Sequence, residues 1–278
     1  MKISQTDNNT VKISDIFISL KDTFECGQCF RWNEFEKGYI GVAGGRVIYV
    51  WQNSPNEMFL TNTDIDDVRD FWVNYFDLKT DYDVIISSIP ENDIYLRQAA
   101  DCGRGIKILR QDPAETIISF IISANNNIKR IKGIIEKLSS LYGDKILYQD
   151  TVYFAFPSLS VLNKLTIDDL QILHAGYRDK YLIDAFEKLS DDRVIALKKD
   201  PISEDRKKFL LSIKGVGPKV CDCIRLFGFS EYDAFPKDVW IKRVIKEHYG
   251  DDFDEKQFGK YAGVYQQYMF HYARNLKG

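Results

Sequence analysis

The chain has 278 residues, 45% hydrophobic and 28% charged, the balance of an ordinary globular protein able to bury one large domain or two to three small ones. Thirty-eight Lys and Arg against 41 Asp and Glu leave a net charge of −3, which argues mildly against a polyanion partner but leaves open a local basic surface that could hold one. No apolar run approaches the ~18–20 residues that span a bilayer, and Met1-Lys2-Ile3-Ser4-Gln5-Thr6-Asp7-Asn8 lacks the apolar core of a signal peptide, so a cytoplasmic protein without membrane contact is expected.

The first ~88 residues read as β-rich. Phe17–Leu20 and Gln28–Trp32 are predicted as short strands, and Tyr39–Val42 and Arg46–Trp51 flank the hairpin signal Gly44-Gly45. Glu57–Thr61 can pair next, and Ile65, Val68, Trp72 and Tyr75 recur at helical spacing. Five cysteines, an odd number, indicate free thiols. Cys26-Gly27-Gln28-Cys29 has the spacing of half a zinc site, but Cys221-Asp222-Cys223 is too tight for the other half and no histidine lies near either. Neither a metal nor a cofactor is expected.

From residue 91 the pattern turns helical. Asp112-Pro113-Ala114-Glu115 supplies an N-cap, a proline at N1 and a glutamate at N3, opening a helix apolar on nearly every face. It ends at Asn125-Asn126-Asn127, before a helix marked by Ile128, Ile131, Ile135, Leu138 and Tyr142. Thr166 opens a short helix with Gly176 as its terminal glycine, and Tyr177-Arg178 lead into another. The expectation is an α+β chain: a β-rich domain over 1–88, then a helical region over 89–278 with two further helices at 239–248 and roughly 255–275.

Residues 204–240 carry the densest chemistry. Pro201-Ile202-Ser203 begins this segment, with Ser203 as a candidate cap. Phe209, Leu210 and Ile213 face a core from one helix, and Val220, Cys223, Ile224 and Phe227 from the next. Between them, Lys214-Gly215-Val216-Gly217-Pro218 forms a hairpin in which Gly215 and Gly217 permit a sharp turn and close approach of the backbone. Such a turn aims amides outward at a helix N-terminus, a site that favours a DNA phosphate. Lys219 sits in the first helical turn, where the dipole disfavours a cation and partial burial would favour the neutral, nucleophilic amine. Asp238 precedes an apolar-periodic helix and has the position of an ordinary N-cap as well as of a catalytic carboxylate. Basic clusters occur at Lys129/Arg130/Lys132, Lys207/Lys208/Lys214 and Lys242/Arg243/Lys246.

With Gly215–Cys223, Pro236-Lys237-Asp238-Val239 and Cys26-Gly27-Gln28-Cys29-Phe30-Arg31-Trp32 in one chain, the sequence resembles the 8-oxoguanine DNA glycosylase/lyases of the helix-hairpin-helix superfamily. Ser123-Ala124-Asn125-Asn126-Asn127-Ile128, Gly176-Tyr177-Arg178 and Tyr261-Ala262-Gly263 with Gln266 and Phe270 extend the resemblance over most of the chain. It implies a bifunctional enzyme that acts as a monomer on double-stranded DNA carrying 8-oxoguanine opposite cytosine. Lys219 is implied as the nucleophile at C1′, forming a Schiff base that permits β-elimination, with Asp238 stabilising the oxocarbenium-like transition state. The target base must leave the stack. Gly27 is implied to accept a hydrogen bond from the N7 proton that only the lesion carries. Gln266 would read the Watson–Crick edge, with Phe270 and Cys223 on the base's two faces. Asn125, Arg130 and Arg178 are implied to contact the opposite base, Tyr177 to fill the vacated space, and Gly215, Gly217 and Trp240 to meet DNA.

The chain departs from the animal members, which carry a histidine and an aspartate where Trp240 and Ala273 stand here. The phosphate-side contact then falls to ring stacking or to Arg243. Two alternatives stay open: a glycosylase of the same superfamily for another damaged base, and a DNA-binding module without catalysis. The second requires neither Lys219 nor Asp238.

Overall fold

The computed structural model describes residues 1–200 and 203–276; the Pro201-Ile202 start of the hairpin segment lies outside them. The N-terminal strands follow the order β1-β2-β6-β5-β4-β3, with β1 Lys2–Asp7, β2 Thr10–Ser14, β3 Trp32–Phe35, β4 Gly38–Ala43, β5 Arg46–Trp51 and β6 Glu57–Thr61, and a small hairpin pairs β7 Lys145–Tyr148 with β8 Thr151–Phe154. The rest is helical, and among the described residues no helix is long and apolar enough to cross a membrane. The α+β class read from the sequence is found.

The chain divides into two compact units, each assembled from separate segments. The first comprises 1–29, 50–110 and the chain from Ser230 onward. In it β1, β2 and β6 pair antiparallel, with Ile13 opposite Met58 and Val11 opposite Leu60. All four side chains are fully buried, so the period-2 alternation of these strands builds one core face. The helix Ile94–Cys102 packs on the C-terminal helix Ala262–Asn275 in the same unit.

Two predicted strands of this unit are absent. Ser19 caps a helix at Leu20–Glu25 where Phe17–Leu20 was expected to be extended. Gln28 and Cys29 lie in an irregular turn, and only Trp32 of the predicted Gln28–Trp32 strand belongs to β3. The reason is Gln28. Its fully buried amide donates to the carbonyls of Thr23 and Lys107, both at 2.8 Å, and accepts from Leu109 N–H at 2.9 Å. A buried side-chain amide with partners on both its ends replaces the ladder that a strand would have used. The β1–β2 hairpin escaped the sequence reading because β1 exposes almost every side chain and offers no alternation.

The second unit comprises 30–49 and 111–229. Asp112 caps the helix Pro113–Ser123 through Glu115 N–H, with Pro113 at its start as the sequence predicts. Asn127 caps Ile128–Tyr142 through Arg130 N–H at 3.0 Å. Phe120, on the first of these, stacks on Phe227 at 5.6 Å and meets Phe30 edge-on at 5.5 Å. Ser203–Leu211 and Pro218–Phe229 are the two hairpin helices. Ser203 is the first residue of its helix, and its hydroxyl accepts from Arg225 at 2.8 Å.

Candidate active site and DNA-contacting residues

In the second unit the hairpin turn rests on Gly215, whose φ of +84° belongs to the left-handed region and whose absent Cβ leaves room for the ring of Tyr181. Gly217 differs: its φ is not positive, and apart from its chain neighbours nothing among the described residues comes within 4 Å of where a Cβ would stand. Close approach to the protein's own core therefore explains Gly215, while Gly217 presents bare backbone outward. Asp184, 8% exposed at its side chain, anchors the turn by accepting from Lys214 N–H and from Lys188 Nζ, both at 2.8 Å. Burial pushes the Asp184 carboxyl up, but these bonds hold it below the usual carboxylate range. The sequence reading missed this anchor, because an aspartate inside a helical pattern gives no local signal.

The carbonyl of Gly217 accepts from Cys221 N–H at 2.9 Å, the first bond of the Pro218–Phe229 helix. The amides of the first turn accordingly have no intrahelical acceptor and are free for an anion. Lys219 stands in that turn and is exposed, not partly buried as considered from the sequence. Its Nζ lies 5.7 Å from the ring centroid of Phe120. Cys223, 4% exposed, follows one helical turn later on the same face.

A second cluster of the same unit surrounds the turn after Pro113–Ser123. Asn125 adopts φ +50° and is exposed. Arg178 is 2% exposed and donates to the carbonyls of Ala124, Asn125 and Ala175 at 2.6 to 3.1 Å. Its guanidinium also lies 4.5 Å from the ring centroid of Tyr177, which is 52% exposed. Arg130 is exposed and donates to the His174 carbonyl at 2.9 Å. The structure thus brings Asn125, Tyr177 and Arg178 together, with Arg178 inward and the other two outward.

In the first unit, Asp238 caps the helix Val239–Val244: its Oδ1 accepts from Ile241 N–H at 2.8 Å, and Oδ2 has no partner among the described residues. The N-cap role is therefore real and leaves one carboxylate oxygen available. Trp240 is half-buried, with the Arg243 guanidinium 5.5 Å from its ring centroid. Gly27 sits in the turn after Leu20–Glu25 at φ +82°, and a Cβ there would lie 3.7 Å from Cε1 of Phe270 on the C-terminal helix. Residues from opposite ends of the chain thus meet. Gln266, one turn before Phe270, is 3% exposed and its Oε1 accepts from Gln267 at 2.7 Å. Cys26 and Cys29 are buried and outside any disulfide, flanking Gly27, and burial pushes the Cys26 thiol up to about 12.

Residues 10–117 match the family model described as 8-oxoguanine DNA glycosylase, N-terminal domain, and residues 118–261 match the HhH-GPD superfamily base excision DNA repair protein. Among solved structures, the chain is 37% identical to MBOgg1 in complex with a low-affinity DNA ligand, with a TM-score of 0.93 and full coverage of both chains. It is 35% identical to the Clostridium acetobutylicum 8-oxoguanine glycosylase/lyase bound to double-stranded DNA with cytosine opposite 8-oxoguanine, with a TM-score of 0.90 over 100% of this chain and 99% of that one. The Saccharomyces cerevisiae N-glycosylase/DNA lyase is 33% identical over 260 residues, covering 84% of this chain and 68% of the yeast protein.

Proposed function

This chain belongs to the HhH-GPD superfamily of base excision DNA repair proteins, in the branch with an 8-oxoguanine DNA glycosylase N-terminal domain, and from that premise we infer that it excises 8-oxoguanine from duplex DNA and cleaves the strand as a DNA lyase. The observation that carries the reading is the approach of Phe270 to Gly27, its Cε1 standing 3.7 Å from where a Gly27 Cβ would be. A backbone carbonyl and an aromatic ring are the two elements this reading uses to recognise an oxidised purine.

Chemistry starts at Lys219. Its exposed amine attacks C1′ of the everted nucleotide, the bond to the base breaks, and the departing base takes the electron pair and a proton. Loss of the ring oxygen bond then leaves an imine between Nζ and C1′, and removal of a C2′ proton expels the 3′ phosphate by β-elimination. The free oxygen of Asp238 opposes the positive charge that develops on the sugar. The hairpin amides and Gly217 hold a backbone phosphate, so the grip is salt-dependent.

For the lesion, the Gly27 carbonyl accepts from the N7 proton of 8-oxoguanine and repels the N7 lone pair of guanine. That difference amounts to ~1–3 kcal/mol. Phe270 supplies a stacking face, Cys223 a second apolar contact, and Gln266 reads the base edge. Asn125 and Arg130 contact the opposite base, Tyr177 occupies the space the base leaves, and Arg178 acts chiefly through the Asn125 turn. Trp240 and Arg243 meet the phosphate side.

Borohydride trapping on duplexes containing 8-oxoguanine tests the reading. A covalent complex is expected with the unaltered protein and none with Lys219→Gln, which still binds. Trapping that survives the substitution removes Lys219 from this role.

A further inference from the structure

Phe270 and Arg274 are one turn apart on the C-terminal helix and share a face. The Arg274 guanidinium lies 5.3 Å from the Phe270 ring centroid, and its Nη1 donates to the carbonyl of Glu25 at 3.3 Å. Glu25 is the last residue of Leu20–Glu25, two positions before Gly27. One arginine therefore touches the aromatic wall and the chain segment that carries the reading carbonyl. His271 stands near the same short helix, with Nε2 3.6 Å from Asp22 Oδ1 and 2.9 Å from Asn275 Nδ2.

We propose that Arg274 is a positioning residue for lesion recognition, clamping the Gly27 turn to the Phe270 helix so that carbonyl and ring keep a fixed separation. The proposal rests on the reading of Gly27 and Phe270 as the base-recognition pair. Three physical facts favour a clamp at this point. Gly27 has no strand pairing to hold it, since the turn from Cys26 to Cys29 is irregular. Its carbonyl must distinguish one proton from one lone pair, and hydrogen-bond strength falls steeply with distance and angle. The Glu25 carbonyl lies at the C-terminus of Leu20–Glu25, where a cation suits the helix dipole. The same guanidinium, held against Phe270, limits the freedom of the ring.

The test compares 8-oxoguanine excision with strand cleavage at a preformed abasic site, which has no base to read. Arg274→Met keeps the aliphatic stem and removes the donor and the charge. It is expected to lower excision about three- to tenfold, the scale of a cation–π contact with one hydrogen bond, while abasic cleavage is unchanged. In a Phe270→Ala background, Arg274→Met is expected to add nothing, which a merely structural role would not produce. If Phe270→Ala lowers the excision-to-cleavage ratio but Arg274→Met does not, the clamp is wrong and the recognition pair stands. If Phe270→Ala leaves that ratio unchanged, the recognition pair itself fails and the clamp with it.

Discussion

Arg178 donates from both Nε and Nη2 to the carbonyl of Ala124, at 3.0 and 2.6 Å, from a position 2% exposed to solvent. That carbonyl sits at the C-terminal cap of Pro113–Ser123, immediately before Asn125 turns through φ +50°. Removing the guanidinium takes a donor from the buried Ala175 carbonyl and from the part-buried Ala124 and Asn125 carbonyls, a buried one left unpaired costing ~1–3 kcal/mol. Arg178→Ala is expected to destabilise the protein by about 2–4 kcal/mol in urea unfolding and also to weaken the preference for cytosine opposite the lesion. Arg130→Ala, at an exposed side chain, is expected to weaken that preference with little change in stability. Comparing excision opposite C, A, G and T, alongside unfolding, separates the two; an unchanged unfolding midpoint for Arg178→Ala would contradict its assignment as the turn's anchor.

Gly27→Ala has space for its methyl group, because 3.7 Å from Phe270 is an ordinary contact. The cost is conformational: a φ of +82° is strained for an L side chain by roughly 1–2 kcal/mol. Relaxing that strain moves the carbonyl. The ratio of 8-oxoguanine to guanine excision is expected to fall, and an unchanged ratio refutes the carbonyl readout.

The two hairpin glycines should respond differently. Gly215→Ala meets the Tyr181 ring in a left-handed backbone position, so both melting temperature and DNA affinity are expected to drop. Gly217→Ala has open space for its methyl group and should leave the melting temperature unchanged while weakening binding to undamaged duplex, because the proposed function puts a phosphate against this backbone. Equal affinity for Gly217→Ala and the unaltered protein would place the phosphate elsewhere.

Lys107 provides a pH-dependent term in stability. It is 7% exposed, and its Nζ stands 3.8 Å from the Tyr82 ring centroid. Burial lowers it from the ordinary 10.5 to about 8, against the opposing charges of Asp77, Asp83 and Asp81. Between those two values the unfolded chain binds more protons, so this residue's contribution rises with pH: it is fully present above 10.5 and lost as pH falls through about 8. The two pKa values correspond to ~3 kcal/mol. The stability difference between Lys107→Met and the unaltered protein should therefore favour the variant most at pH 7 and shrink toward pH 10.5. Using the difference cancels Tyr232, and measuring below pH 10 avoids Tyr82, whose raised value acts in the opposite direction only at high pH. A pH-independent difference would show that Lys107 is not desolvated.

Much of the hairpin was legible because its signals are local. Glycines, a proline and two helical apolar periods fall within a few residues, and they specify the turn, the helix start at Pro218 and the placement of Lys219 whatever packs around them. The same holds for Asp112 and Asp238 as caps. Gln28–Trp32 misled because alternation suits a strand, whereas the outcome depended on whether Gln28 could find buried backbone partners around Lys107. Arg178, read as a base contact, spends its donors on a turn that only the folded chain puts within reach.

By itself the sequence determined a glycine hairpin with a lysine at its helix start and a capping aspartate beyond it, since caps, turns and periodicity act over a few residues. The tertiary structure alone decided that Gly27 meets Phe270, that Arg274 reaches Glu25, and that Arg178 points inward. Those contacts join distant segments, and long-range neighbours are selected by the packing of a whole core rather than by any local propensity.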